Sequence, residues 1–503
     1  EIHASTPLHT DDDISVKIVA DKGSISSPGG LVINLPKKAD VYAGRDIRNA
    51  SFIIQNVNED DRTRITAGRD FRYEIPRLFD GGVQSKDRRL QVSGPGQLIL
   101  QAGRNIDLGT SAGIESIGNR KNPVLADRGA DVIVIAGVKD NVDYAGFSET
   151  YVNKSNKYLT AVKAFVDNGV VDFDQETSRS YSTVELNASR EQFAGLDEQK
   201  QQAFLRELFL HEIRDVGVSS AEAGNDSYQS AYDAIASLFP GSYAGDINLF
   251  FSKIHTVDGG NIQLLTPGGG VNAGLATSAG LSKEASDLGI VAQREGRIDA
   301  FVRDDFEVNL SRVFTLAGGD IMLFASEGDI DAGRGAKSAL AAPPAKFSFD
   351  ERSNLIVEFP NAIQGSGIRT FASGNGEAGD VYLFAPQGVI DAGDAGIGGN
   401  NITLGAPTII GSANIDIGGV SVGVPTASVS LAAGLTGVSN LSASSNKVAE
   451  ESTSSIGKLS ENSGFGNTPM GFLNVELVGF GGGVSNTVPT TGSNLSSMKK
   501  YNK

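Results

Sequence analysis

A phrase of fifteen residues recurs along this chain at a nearly constant interval. "GDIMLFASEGDIDAG" runs from Gly319 to Gly333 and "GDVYLFAPQGVIDAG" from Gly379 to Gly393, identical at ten of fifteen positions. A looser copy, "GNIQLLTPGGGVNAG", spans Gly260 to Gly274. Intervals of 59 and 60 residues read as three coils of roughly 20 residues each, a length that suits a solenoid whose repeats stack on one another. A chain of 503 residues exceeds what one compact core supports, whereas stacking lets a core grow along an axis. The expected fold class is therefore all-β, a solenoid with about 20 residues per coil.

Within the phrase, Ile262, Ile321 and Val381 share one position, with Leu264, Leu323 and Leu383 two residues on. Alternate residues of a strand point to one face, so stacked copies predict a buried aliphatic ladder on one wall of a parallel sheet. Leu265, Phe324 and Phe384 then point outward, and an apolar column of that kind calls for a covering loop or insert. Gly274, Gly333 and Gly393 are expected at equivalent corners. Asn272, Asp331 and Asp391 align across the copies. Copies three coils apart would lie ~14 Å apart at ~4.8 Å per coil, whereas paired glycosidase carboxylates lie ~5–9.5 Å apart. The aligned residues are therefore read as caps of Asx turns. Asp329 and Asp331 form a local carboxylate pair in one copy, but Val389 replaces Asp329 in the next.

Elsewhere the pattern is punctuated. From Ile14 to Val138 short β-branched runs alternate with turn residues, and "AGRDI", "AGRDF" and "AGRNI" share one turn wording. The predicted organisation places β-solenoid coils at 1–149, an α-helical insertion at 150–244 and further coils at 245–440. A Ser-rich linker follows at 441–470, a capping or exchanged β-segment at 471–483 and a flexible tail at 484–503. In the insertion, Asp197 is the expected N-cap of a helix with a Leu205, Phe209, Ile213 and Val216 stripe, ended by Gly217. A second helix carries Tyr228, Tyr232, Ile235 and Phe239, and "YLTAVKAFVDNG" predicts a third. Their stripes should pack on each other and on the solenoid flank. In the final β-segment Phe472, Val475, Leu477, Val478 and Phe480 supply the apolar surface for capping the last coil or pairing with a neighbour's edge.

The chain has no cysteine, which excludes disulfides, thiol catalysis and thiolate-bound metals. A net charge of −17 argues against nucleic acid as a partner. No apolar run reaches the ~18–20 residues of a membrane helix. The opening "EIHASTPLHT" has neither Met nor an apolar signal core, so the chain reads as a processed piece of something longer. The four histidines are His3, His9, His211 and His255. "HEIRD" at His211 has Asp215 where a zinc-protease helix needs its second His, and His211 beside Glu212 reads as a surface residue. "GDAGIGGNN" lacks the Lys-Ser/Thr pair of a phosphate loop. No catalytic, cofactor-binding or metal residue is assigned, and the ligand-binding residues are left unknown.

Taken in order, "AGRDI", "AGGDI", "GDINLFFSKIHTVDGGNIQLLTPGGGVNAG", "GDVYLFAPQGVIDAGDAGIGGNNITL" and "GGVSVGVP" resemble the carboxy-terminal region of filamentous-haemagglutinin-like exoproteins of bacterial two-partner secretion systems. "GFLNVELVGFG" is similar to the way such chains end. The likeness is strongest over roughly 240–425 and 471–481 and looser over 14–140. It implies a right-handed parallel β-helix, export through a cognate outer-membrane transporter, and an extracellular or cell-surface place. The family's "NPNG"-type recognition motif is not found, nor is a carboxy-terminal Cys pair. The function so implied is that of a rod-like adhesin segment in attachment or biofilm cohesion, with no cofactor. Surface glycans or exopolysaccharide are expected partners, and oligomers or filaments would form through coil ends. The alternatives are a homopolymeric surface filament subunit and a β-helix polysaccharide-degrading enzyme. An enzyme needs clustered Asp/Glu with Arg/Lys from adjacent coils; the sequence shows no such run, so no activity is expected.

Overall fold

Alternating apolar and polar residues become parallel strands along much of the described chain. The computed structural model describes residues 8–425 apart from 76–87, 120–125, 127, 140–141, 174–180, 226, 277–282, 284–286, 336–339, 342–345, 350–354, 359–362 and 373–375. Among these, two large sheets are all-parallel, one of eleven strands and one of eighteen. The larger sheet consists of two ladders that share their opening strands. Ile25 pairs with Ile47 in one, and after a shift in register Leu31 pairs with Ala50 in the other. The chain thus visits three walls in turn and returns to the first. One such circuit runs through Ile298–Val302, Phe306–Glu307 and Arg312–Thr315 before re-entering the first wall at Ile321–Ala325. This is a β-helix-like arrangement.

Each wall contributes an inward column to one core. On the first wall Val41, Ile65, Leu100, Val134, Leu264, Ala300, Leu323, Leu383 and Leu404 follow one another in register. The second wall supplies Phe71, Ile106, Ile247, Val271, Phe306, Ile330 and Ile390, and the third Leu90, Ile114, Ile254, Ile290, Val313, Ile368 and Ile397. All belong to a single buried cluster, and each large side chain so buried stabilises the stack by ~1.5–3 kcal/mol. Leu264, Leu323 and Leu383 are fully buried in parallel strands, as the alternation requires.

The spacing of the repeated phrase has a different origin from three equal coils. Leu264 and Leu323 are separated by one intervening strand, Ile298–Val302, whereas Leu323 and Leu383 are direct neighbours. The first interval is therefore two circuits. The second is a single circuit enlarged by an excursion, in which Lys346–Phe349 pairs antiparallel with Leu355–Glu358 and Leu340–Ala341 with Ile363–Gln364. Circuits near 20 residues do occur, as from Leu383 to Leu404, but those from Ile65 to Leu100 and from Leu264 to Ala300 are longer. The core fixes the strands, and the corners absorb the variation. The described strands end at Ser421–Val422; the expected linker at 441–470, β-segment at 471–483 and tail at 484–503 lie outside the described residues.

Between the first and second walls of one circuit the chain leaves the stack as helices α1 (Tyr144–Ser148), α2 (Leu159–Asn168), α3 (Thr183–Ala194), α4 (Glu198–Glu222) and α5 (Gln229–Leu238). Asp197 caps α4 by accepting from the Gln199 N–H, Ser182 and Glu185 form a capping box on α3, and Gly169 ends α2 in the left-handed conformation. Gly217 does not end its helix. It lies inside α4, where a Cβ would come within 2.5 Å of the Phe384 ring. Its role is close approach, since only a residue without a side chain lets α4 lie on the wall at that point. The helices bury the outward column Leu265, Phe301, Phe324 and Phe384 in a second apolar cluster with Leu205, Phe209 and Ile213. Phe209 meets Phe301 edge-on at 5.4 Å between ring centroids, a favoured aromatic geometry.

Candidate functional site

Among the described residues, two places that concentrate polar side chains on the outside of the stack bear on function. The first is a cleft of about 180 Å³ where α4 crosses the first wall. Glu207, His211 and Arg214 reach it from α4, and Arg297, Asp299 and Asp320 from adjacent strands and their corner. Arg297 is held between two carboxylates: its Nε donates to Asp299 Oδ2 at 2.7 Å and its Nη2 to Glu207. Gln263 Nε2 donates to the other Glu207 oxygen at 2.7 Å, and Arg206 Nε donates to Gln263 Oε1 at 2.5 Å. Burial pushes the Asp299 carboxyl up against the pull of Arg297, and burial likewise raises Asp320 and Asp131. Tyr382, beneath Arg214, is pushed up to about 12 by burial, with Asp380 and Asp320 adding to it. The carboxylates and arginines are committed largely to one another, so what this arrangement does chemically is fasten α4 to the wall.

That cluster corrects two readings of the sequence. Acidic and basic residues from adjacent circuits do come together, although no run announces them, because a helix more than fifty residues distant supplies half of the group. His211 is a buried residue of this interface, 8% exposed, with its ring stacked on Phe173 at 4.8 Å and Nδ1 accepting from Arg214 Nη2 at 3.1 Å. His9 is exposed beside Asp12, and His255 is buried on the third wall, where burial holds it well below its ordinary range. His3 lies outside the described residues.

The aligned carboxylates occupy corners. Asn272, Asp331 and Asp391 each accept, through Oδ1, from the N–H of the glycine two residues on, at 3.0, 2.7 and 2.8 Å. They are Asx turns. Asp331 and Asp391 pair directly in register, one strand spacing of ~4.8 Å apart and not the ~14 Å that three coils would give. Asp329 serves the next circuit: its Oδ1 accepts from the Val389 N–H at 2.7 Å. The opening Asp of the phrase does the same at another corner, where Asp320 accepts from the Asp380 N–H (2.8 Å) and Asp380 from the Asn401 N–H (2.9 Å). In the "AGRD" turns, Arg69 grips Asp46 with two hydrogen bonds of 3.0 and 2.6 Å, and Arg104 grips Asp70 with two of 3.1 and 2.6 Å. Among the described residues no group of three or more His, Asp or Glu is placed to hold a metal ion.

The second place is open. On the second wall the residue after each inward apolar one faces outward, giving Arg72, Asp107, Asn248, Asn272 and Glu307 in register. The signal in the sequence is an apolar–polar pair just after each corner: "FR", "ID", "IN", "VN", "FE". It becomes legible only when the circuits are aligned. Two cavities, of about 410 and 210 Å³, lie over this column and share Asn248 and Asn272.

Three parallel ladders around one aliphatic core, with polar side chains capping corners along the stack, define a protein of the β-helix-like class. Residues 318–426 match the family described as filamentous haemagglutinin family outer membrane protein, and the resemblance read from the sequence is shown for that stretch. The matched stretch begins one residue before the second copy of the repeated phrase and runs through the last described circuits. No curated protein and no solved structure matches the chain. Among the described residues no helix is long and apolar enough to cross a membrane.

Proposed function

We propose that this chain is a rod-like segment of an extracellular, cell-surface adhesin exported by two-partner secretion, and that it works by attachment or cohesion and not by catalysis. The observation that carries this is the uninterrupted in-register stacking of three walls on one core, continuing into the part that matches the filamentous haemagglutinin family. Successive strand–strand crossovers in one parallel sheet are almost always right-handed, so the finer reading is a closed, right-handed β-helix. Its partner during export would be a cognate outer-membrane transporter. Such a stack gives stiffness and a long regular surface, which is what an attachment rod needs.

The test uses beads coated with the full chain, applied to cell surfaces and to biofilm matrix and compared with beads carrying an unrelated acidic protein. The expected result is selective retention with no release of sugar products from a polysaccharide panel. Retention no better than the control, or cleavage of any polysaccharide, would overturn the reading. One observation favours a second reading, a homopolymeric filament. Apolar side chains are exposed on the terminal strands, with Val19 and Val32 at one end and Ile410 and Ile417 at the other, and strand edges invite pairing. Mass photometry separates the two by showing either single chains or open-ended assemblies.

A further inference from the structure

The open trough on the second wall has a regularity that attachment alone does not require. Arg72, Asp107, Asn248, Asn272 and Glu307 come one from each of five successive circuits, and in-register neighbours in parallel strands repeat at ~4.8 Å. The trough therefore presents a hydrogen-bonding side chain at even steps along the stack. Asn248 Nδ2 donates to Asp107 Oδ1 at 3.0 Å and Asn272 Oδ1 caps its own turn, and the remaining amide hydrogens and carboxylate lone pairs of the column still give and take hydrogen bonds. That is the complement of hydroxyl groups, each of which is donor and acceptor at once. Phe250 lines the same cavity, half-buried and held at a φ of 56°, a left-handed conformation that a bulky residue adopts only when its surroundings impose it. Ile75, half exposed, lines that cavity as well. Apolar surface beside an evenly spaced polar ladder fits a pyranose chain, whose rings have C–H faces and hydroxyl edges.

Charge narrows the class. Asp246, Asp304 and Asp305 line the trough together with Glu307; Arg303 pairs with Asp304 at 2.8 Å and Arg72 with Asp70 at 3.1 Å, so Asp107, Asp246, Asp305 and Glu307 leave the trough acidic. A uronic or sulfated polymer would meet like charge along its length, whereas an uncharged one would not. The strand repeat is close to the residue repeat of an extended polysaccharide.

We infer that this trough binds an extended, uncharged polysaccharide lying along the stack, with one sugar residue to each circuit. The inference rests on the attachment reading and names its ligand class.

The experiment is isothermal titration of the full chain with cellohexaose, mannohexaose and laminarihexaose, against hexagalacturonate and the corresponding neutral disaccharides. At least one neutral hexasaccharide saturates the protein, its disaccharide binds at least tenfold more weakly, and hexagalacturonate gives no saturable heat. Phe250→Gly, which removes the ring and relieves the positive φ, lowers affinity at least tenfold. Glu307→Ala, at an exposed position, lowers it severalfold with an unchanged melting temperature. Failure of all three neutral hexasaccharides to bind, tighter binding of hexagalacturonate, or parental affinity in both variants would overturn the inference. If coated beads are retained while both variants keep parental affinity, the trough is wrong and attachment stands. If the beads are not retained at all, attachment itself has failed.

Discussion

Replacing Gly217 by Ala should destabilise a helix that alanine ordinarily favours. Gly217 lies within α4, and in a helix interior the change from Gly to Ala is intrinsically favourable by about 1 kcal/mol. Here the new Cβ would sit 2.5, 2.6 and 2.7 Å from three carbons of the Phe384 ring. The ring has little room to retreat. Phe384 is fully buried, Phe324 lies 6.1 Å away between centroids, and a Cβ at Gly405 would already touch its other edge at 3.0 Å. Forcing a methyl into a packed interface costs about 1–3 kcal/mol, so the net effect is a loss of up to about 2 kcal/mol. The assay is urea unfolding followed by far-ultraviolet circular dichroism, applied as a double-mutant cycle with Phe384→Leu. In the Phe384→Leu background the methyl has space, and Gly217→Ala should become neutral or favourable, giving a coupling of about 1–3 kcal/mol. A Gly217→Ala protein more stable than the parent by the full helix preference, or strict additivity in the cycle, would refute the packing argument.

Three further outcomes follow from the corners and the helical cover. Burial raises the Asp320 carboxyl above its ordinary 3.8, so its charged form at neutral pH opposes folding and the parent recovers stability as pH falls through the raised value. Asp320→Asn keeps the acceptor for the Asp380 N–H, as Asn261 and Asn401 do at the same corner. It should be more stable than the parent near pH 7, with the gap closing toward about pH 4; a gap independent of pH in thermal melts would contradict this. At the turn, Asp331→Asn should change stability by less than about 0.5 kcal/mol because Asn272 makes the same Asx turn, whereas Asp331→Ala should cost about 0.5–2 kcal/mol. Equal effects of the two in chemical denaturation would show that the turn is not what Asp331 supplies. Replacing 144–238 by a short linker should preserve the β-sheet dichroism but expose Phe301, Phe324 and Phe384 to an apolar dye, and loss of the sheet signal would show that the helices hold the stack together.

Alternation made the walls readable. Leu264, Leu323 and Leu383 point inward and Leu265, Phe324 and Phe384 outward because strand period is a local property. The helix start at Asp197 was equally legible, since an N-cap is written in a single residue. What escaped was everything set by pairing across long separations. Equal intervals between copies concealed unequal numbers of circuits, because an excursion at 340–364 happens to equal the length of a circuit. Gly217 looked like a stop because a glycine's usual meaning is conformational, and its close approach to Phe384 depends on a wall far along the chain. His211 next to Glu212 looked solvent-facing, and both are buried where α4 meets α2 and its following loop. The trough was hidden for a related reason: its five residues share only a two-residue apolar–polar pattern, which register alone brings into line.

The pairing of Val134 with Leu264 puts the helical insertion in the terms of polymer statistics. Closing a flexible loop costs free energy that grows only with the logarithm of its length, about 0.6 kcal/mol for each doubling. Stretching an ordinary circuit to the span between these two residues takes about two and a half doublings, or roughly 1.5 kcal/mol. Burial of Phe301, Phe324 and Phe384 under the helices exceeds that several times over at ~1.5–3 kcal/mol each. A corner of this stack is therefore a permissive graft point: any insert that folds and covers a few outward apolar residues is retained at little thermodynamic penalty. The antiparallel excursion at 340–364 occupies a second such point. Where a chain of this kind diversifies, the corners between walls can gain or lose whole elements while the hydrogen-bonded walls keep their register.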